Sequence, residues 1–202
     1  MKLELWYPVP KPHWLTQGWG VNGEWYRKNG IDILGHNGWD FLALHGDPIR
    51  AAHDGEITYV GIDAKEGVGI VLRTLDEREY GESSARFKTI YWHLCNEKCH
   101  DGSHKPVVKQ GDVVKVGTIL GYANNTGLST GDHLHFGLKP CKLNEIYWVW
   151  WNIEQNNGYL GAIDPTPYWN RFYAEDAQKV LSMYEKVVEL LRKLYGNLKV
   201  GK

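Results

Sequence analysis

Asp54-Gly55-Glu56-Ile57-Thr58-Tyr59-Val60, then Gly67 and Gly69-Ile70-Val71-Leu72, is the stretch that decides the fold. Two short runs rich in Ile, Val and Tyr are bounded by glycine turns, as β-strands are. The pattern recurs at Phe87-Lys88-Thr89-Ile90-Tyr91-Trp92, Val113-Val114-Lys115-Val116 and Thr118-Ile119-Leu120-Gly121. Turn residues punctuate it at Gln110-Gly111-Asp112 and Asn124-Asn125-Thr126-Gly127. Runs this short and regular predict antiparallel sheets rather than βαβ units. No internal repeat or low-complexity segment interrupts them.

The flanks read differently. Residues 1–30, marked by Pro8, Pro10, Pro12, Gly18, Gly20, Gly23 and Gly30, predict an extended lead with turns. After Asp164-Pro165-Thr166-Pro167 the pattern predicts one long helix from about Ala174 to Tyr195, opened by Glu175 and Asp176 and stopped by Gly196. Val180, Tyr184, Val187, Leu191, Leu194 and Leu198 form its apolar stripe. That stripe either packs on the chain's own sheet or serves self-association or docking to another protein. The expected fold class is mainly β (α+β), with antiparallel β-sheets and a long C-terminal helix.

Composition narrows the function. The 202 residues suit one substantial domain with an appendage, and the net charge is −1. Without a dense Lys/Arg block, nucleic acid is an unfavoured partner. Ten tryptophans and twelve tyrosines supply a core and, beyond it, aromatic walls for a groove. No apolar run approaches the ~20 residues of a membrane span. Glu4 and early prolines break the apolar segment a signal peptide needs. Three cysteines do not make a disulfide framework. Cys95, Cys99, His100 and His104 read as a polar loop with free thiols or one local disulfide, ahead of a second zinc site.

The chemistry gathers in two segments. His36-Asn37-Gly38-Trp39-Asp40 brackets a tight turn, and Gly38 lets both outer side chains face one point. Far downstream, His133-Leu134-His135-Phe136 places two histidines on one face of a strand. Two imidazoles and a carboxylate make a three-ligand zinc set with a position left for water or substrate. His36, Asp40 and His135 are the expected ligands. His133, two residues before a ligand, and His93, ending Tyr91-Trp92-His93, are the expected catalytic pair. One would accept the proton of water and the other stabilise an oxyanion. The absence of H-E-x-x-H excludes chemistry with a helix-borne glutamate base. The other histidines (His13, His45, His53, His100 and His104) read as surface or core residues.

In order along residues 15–168, the chain resembles the lysostaphin/LytM-type zinc metallopeptidases of bacterial peptidoglycan. Thr16-Gln17-Gly18-Trp19-Gly20 is similar to their opening turn. Gly35-His36-Asn37-Gly38-Trp39-Asp40-Phe41 matches H-x-G-x-D, and Tyr91-Trp92-His93-Leu94 matches Y-x-H-L. Thr126-Gly127-Leu128-Ser129-Thr130-Gly131-Asp132-His133-Leu134-His135-Phe136 matches the closing T-G-x-S-T-G-x-H-L-H-F. The resemblance implies His36, Asp40 and His135 as ligands of one zinc ion, His93 and His133 as catalytic histidines, and a narrow groove on the β scaffold. It implies hydrolysis of peptide cross-links or bridges of peptidoglycan; the chain is expected to divide into that domain over residues 1–168 and a helical extension over 169–202, which is an elaboration on the family pattern. Gly137 departs from the family, which often has an acidic residue there, and the loop from Cys95 to Pro106 is an elaboration. The rival reading is a non-catalytic wall-binding or adaptor module on the same fold. Action at the cell wall without a visible leader predicts a phage-encoded, lysis-released enzyme or a chain trimmed of its leader.

Overall fold

The computed structural model describes residues 1–96, 106–146 and 149–170. In chain order the elements begin with β1 (Leu15–Gln17), α1 (Gly23–Lys28), β2 (Trp39–Leu42), β3 (Pro48–Arg50) and β4 (Gly55–Asp63). Next come β5 (Gly67–Thr74), β6 (Arg78–Tyr80), β7 (Ser83–Leu94) and β8 (Val113–Val114). The series closes with β9 (Ile119–Tyr122), β10 (His133–Asn144), β11 (Val149–Asn152) and a 3-10 turn at Thr166–Tyr168.

One nine-stranded sheet runs β1-β2-β10-β7-β5-β4-β8, with β11 added to β10 and β6 to β7. Its strand pairs are antiparallel. β3 and β9 form a separate two-stranded ribbon. Central β5, Gly67-Val68-Gly69-Ile70-Val71-Leu72-Arg73-Thr74, is buried almost throughout, as its near-continuous apolar run requires of an inner strand. Gly69 is obligatory: a Cβ there would lie 1.8 Å from the Trp92 ring, which lies across the glycine.

Alternation on β2 and β10 separates core from groove. Phe41, Leu134, Phe136 and Leu138 are fully buried. Successive strand residues face opposite sides, so Asp40, His133, His135, Gly137 and Lys139 share the other face. The core side is closed by the amino-terminal lead. Leu3, Leu5 and Val9 are buried in it, and the Tyr7 ring stacks on Trp169 at 4.7 Å. The Leu5 N–H donates to the Tyr168 carbonyl at 2.7 Å, and Leu5 bridges Trp169.

The expected antiparallel, mainly β architecture is present; the helical part of the expected fold class is corrected. Among the described residues the one α-helix is the six-residue α1, inside the lead expected to be extended. The predicted helix of residues 174–195 lies outside the described residues. An apolar stripe at helical spacing is not itself a reason for a helix, because most helical stability comes from packing that stripe. Here the described core is completed by strands, the lead and Trp169. Self-association or protein docking through a C-terminal helix therefore loses its basis. Among the described residues, no helix is long and apolar enough to cross a membrane.

Candidate metal centre and groove

Strand register assembles the centre. In the antiparallel ladder His135 on β10 stands directly opposite Asp40 on β2 and opposite Trp92 on β7. A one-residue slip would send His135 and Asp40 to opposite sides of the sheet, so the buried face of β10 fixes the site as well as the core. His36 enters from the turn before β2. Its backbone N–H donates to Val21 and its carbonyl accepts from Gly20, both at 2.8 Å.

His36, Asp40 and His135 are buried and converge. His36 Nε2, Asp40 Oδ1 and His135 Nδ1 lie 3.0 Å from one another. The His36 ring is aimed by its other nitrogen: Nδ1 donates to the Gly18 carbonyl at 3.0 Å, which leaves a lone pair on Nε2. Two acceptors, His36 Nε2 and Asp40 Oδ1, thus touch, and a cation between them resolves the contact. Tetrahedral zinc with bonds of ~2.0–2.1 Å spaces its ligand atoms about 3.3 Å apart, within a few tenths of the spacing here. The cluster is consistent with a mononuclear zinc site. Burial opposes the Asp40 charge, but the facing imidazoles of His135 and His36 outweigh it and hold the carboxyl well below the usual range.

The two remaining histidines stand beside this triangle. His93 is the penultimate residue of β7, with φ of 64°, a left-handed conformation uncommon outside glycine and associated with functional sites. Its Nδ1 donates to the Thr126 carbonyl at 2.7 Å, so Nε2 keeps a lone pair. Burial first, then the neighbouring His133 and His135, push its pKa down to about 4. His133 donates from Nδ1 to the Gly131 carbonyl at 2.8 Å, with the Ser129 hydroxyl 3.1 Å away. Its Nε2 lies 3.8 Å from Asp40 Oδ2, and its ring centre is 4.5 Å from that of His93. All five residues line one cavity of about 380 Å³.

All five expected site residues therefore meet at one place. Tyr26 of α1, which the sequence reading passed over, lies parallel to the His36 ring at 6.0 Å and accepts a hydrogen bond from Gln17 Nε2 at 2.8 Å. Gln17 and Gly18 belong to the opening turn already singled out; nothing in the spacing of Tyr26 marked it. Gly137 leaves room for a larger residue, with the nearest atoms to an added Cβ at 3.5 Å. His53 is a core residue, buried and hydrogen-bonded to Thr89 Oγ1 at 3.0 Å. Cys95 is disulfide-bonded and Cys141 is free and buried, which removes the Cys95 sulfur from any second metal site. Cys99, His100 and His104 lie outside the described residues.

Comparison with known proteins places these residues in a family context. The model of peptidase family M23 matches residues 34–145. The glycyl-glycine endopeptidase ALE-1 of Staphylococcus capitis is 36% identical over 110 residues, 53% of this chain and 25% of that protein. The peptidoglycan DD-endopeptidase ShyB of Vibrio cholerae is 32% identical over 133 residues, 64% of this chain and 26% of that one. Among solved structures, the catalytic domain of lysostaphin from Staphylococcus simulans superposes with a TM-score of 0.52 at 26% identity, covering 77% of this chain and 91% of that domain. A zinc-containing peptidase from Vibrio cholerae gives 0.52 at 28% identity over 69% of this chain and 37% of the other. The chain spans about a quarter or less of the length of the curated relatives it matches.

Proposed function

The chain belongs to peptidase family M23, and from that premise we propose that it is a zinc-dependent endopeptidase hydrolysing peptide cross-links or bridges of bacterial peptidoglycan. The observation that carries the reading is the triangle of His36 Nε2, Asp40 Oδ1 and His135 Nδ1, mutually 3.0 Å apart, with two further histidines on its rim. These three would hold one zinc ion per chain. When bound, zinc supplies Lewis acidity that lowers the pKa of water to roughly 7 and polarises a peptide carbonyl.

His133 takes the proton of the attacking water at Nε2, which faces Asp40 Oδ2 at 3.8 Å. The imidazolium so formed then donates to the oxyanion or to the departing amine. His93, kept neutral by its surroundings, accepts at Nε2 and orients the water. Held by Thr126 through Nδ1, it cannot turn away.

The catalytic unit is residues 1–168, with 169–202 an extension. Action at the bacterial cell wall follows from the substrate, and a phage-encoded chain would reach it on lysis. The test is incubation of the zinc-loaded protein with purified sacculi of several cross-link types, following new amino termini. Release of amino termini that stops on chelation is expected. No release from any sacculus, with zinc bound, would leave a non-catalytic wall-binding module.

A further inference from the structure

Beyond the metal centre the groove continues. A second cavity of about 850 Å³ shares Asn37, Glu66, His135 and Leu160 with the first. Its floor follows β10, where His133, His135, Gly137 and Lys139 share a face. Gly137 opposes Ile90, and Lys139 opposes Lys88. Lys88 in turn opposes Arg73 on β5, and Arg73 opposes Glu56 on β4. One row across four strands thus reads Glu56-Arg73-Lys88-Lys139, with three cations side by side.

Directly opposed like charges destabilise a sheet, so this row needs a reason. Glu56 answers Arg73 alone, at 2.7 Å. Lys88 Nζ meets only neutral acceptors, the Trp150 carbonyl at 3.1 Å and Asn152 Oδ1 at 3.3 Å. Among the described residues, no carboxylate lies within ion-pair distance of Lys88 or Lys139. Asp63, also in the lining, is committed to the N–H groups of Lys65 and Glu66. Trp150 closes the end of the groove, with the Arg73 guanidinium 4.2 Å from its ring. Burial lowers the pKa of both lysines; at Lys139 the charge of Lys88 adds to this and the carboxylate of Glu66, also in the lining, offsets only part of it.

We propose that the far end of this groove is an anion subsite, in which Lys139 and Lys88, backed by Arg73, receive a carboxylate of the peptide substrate. The inference rests on the endopeptidase reading and sharpens it. Four residues of extended strand put Lys139 about 13 Å from His135, so the carboxylate belongs a few residues from the scissile bond. The preferred substrate is a stem peptide with free carboxylates rather than a neutral glycine bridge.

The experiment compares two soluble, uncross-linked stem tetrapeptides, one with free carboxylates and one with the same groups amidated. Calorimetry with the zinc-loaded full chain measures their binding. A charge-assisted contact predicts about 10-fold or more tighter binding of the free form at low salt. Lys139→Met and Lys88→Met should bring the two peptides within about twofold, whereas Lys139→Arg keeps the preference. Equal binding of the two peptides by the unaltered protein, binding of neither, or a preference that survives both Met variants overturns the subsite. The peptide pair decides even where a variant fails to fold. Sacculus hydrolysis by the same preparation reports separately: cleavage without carboxylate preference sinks the subsite alone, and preference without cleavage sinks the hydrolase alone.

Discussion

Gly38→Ala should damage the metal centre although residue 38 touches no metal. Gly38 lies between His36 and Asp40, and an added Cβ would sit 2.4 Å from the Phe136 carbonyl oxygen and 2.9 Å from His135 Cε1. An ordinary C···O contact is about 3.3–3.6 Å, so the methyl must push β10 back by close to an ångström. The oxygen cannot yield alone, because Phe136 and Trp39 are partners in the β2–β10 ladder. Overpacking of this kind costs about 1–3 kcal/mol, which for a domain of this size lowers Tm by roughly 3–10 °C. The same push moves His135 out of a triangle whose sides are 3.0 Å. Disturbing the support of a ligand costs about 10–100-fold in metal affinity. Competition with a chelating dye gives the affinity, and melting with and without zinc separates the two effects. Unchanged zinc affinity would refute the coupling of glycine to ligand, even if Tm fell.

Other outcomes follow from the same geometry. His135→Ala should lose both zinc and hydrolysis, whereas His133→Ala should keep zinc and lose hydrolysis; retention of both by His133→Ala would remove its role as base. Chelation should destabilise the protein, since a metal at 100 times its Kd adds about 2.7 kcal/mol; a melting curve indifferent to zinc would count against a folded-state site. His53 links stability to pH. Burial lowers its pKa from 6.5 to about 4, so the unfolded chain binds the extra proton between those values. Its contribution is complete above pH ~6.5 and falls as pH drops toward 4, by up to about 3 kcal/mol. Urea unfolding of metal-free wild type and His53→Gln at pH 7, 5.5 and 4.5 isolates it. Equal slopes for the two proteins would show that His53 carries no such linkage.

Sequence made the sheet and the centre legible for different reasons. β4, β5 and β7 announced themselves through local composition, because Ile, Val and Tyr between glycines suit strands wherever they occur. The metal cluster was readable because His133 and His135 share a strand face and Gly38 tightens the turn between His36 and Asp40. Tyr26 and the row of Arg73, Lys88 and Lys139 were not readable. Each of those lysines looks like an ordinary surface residue until pairing register sets them abreast, and register is a long-range property. The helix expected over residues 174–195 lies outside the described residues, and a local stripe states only what a helix would bury, not whether the fold needs it.

The meeting of Leu5 with Tyr168 and Trp169 has an architectural consequence. The first and last segments of the unit that ends at Trp169 are hydrogen-bonded neighbours. A module with adjacent entry and exit points tolerates being spliced into a host loop or circularly permuted. Joining residues 3 and 169 with a short flexible linker, and reopening the chain in the exposed two-residue turn at Gly81-Glu82, would leave every groove strand continuous. The groove could then be carried as a cassette, inserted between other domains without redrawing its walls.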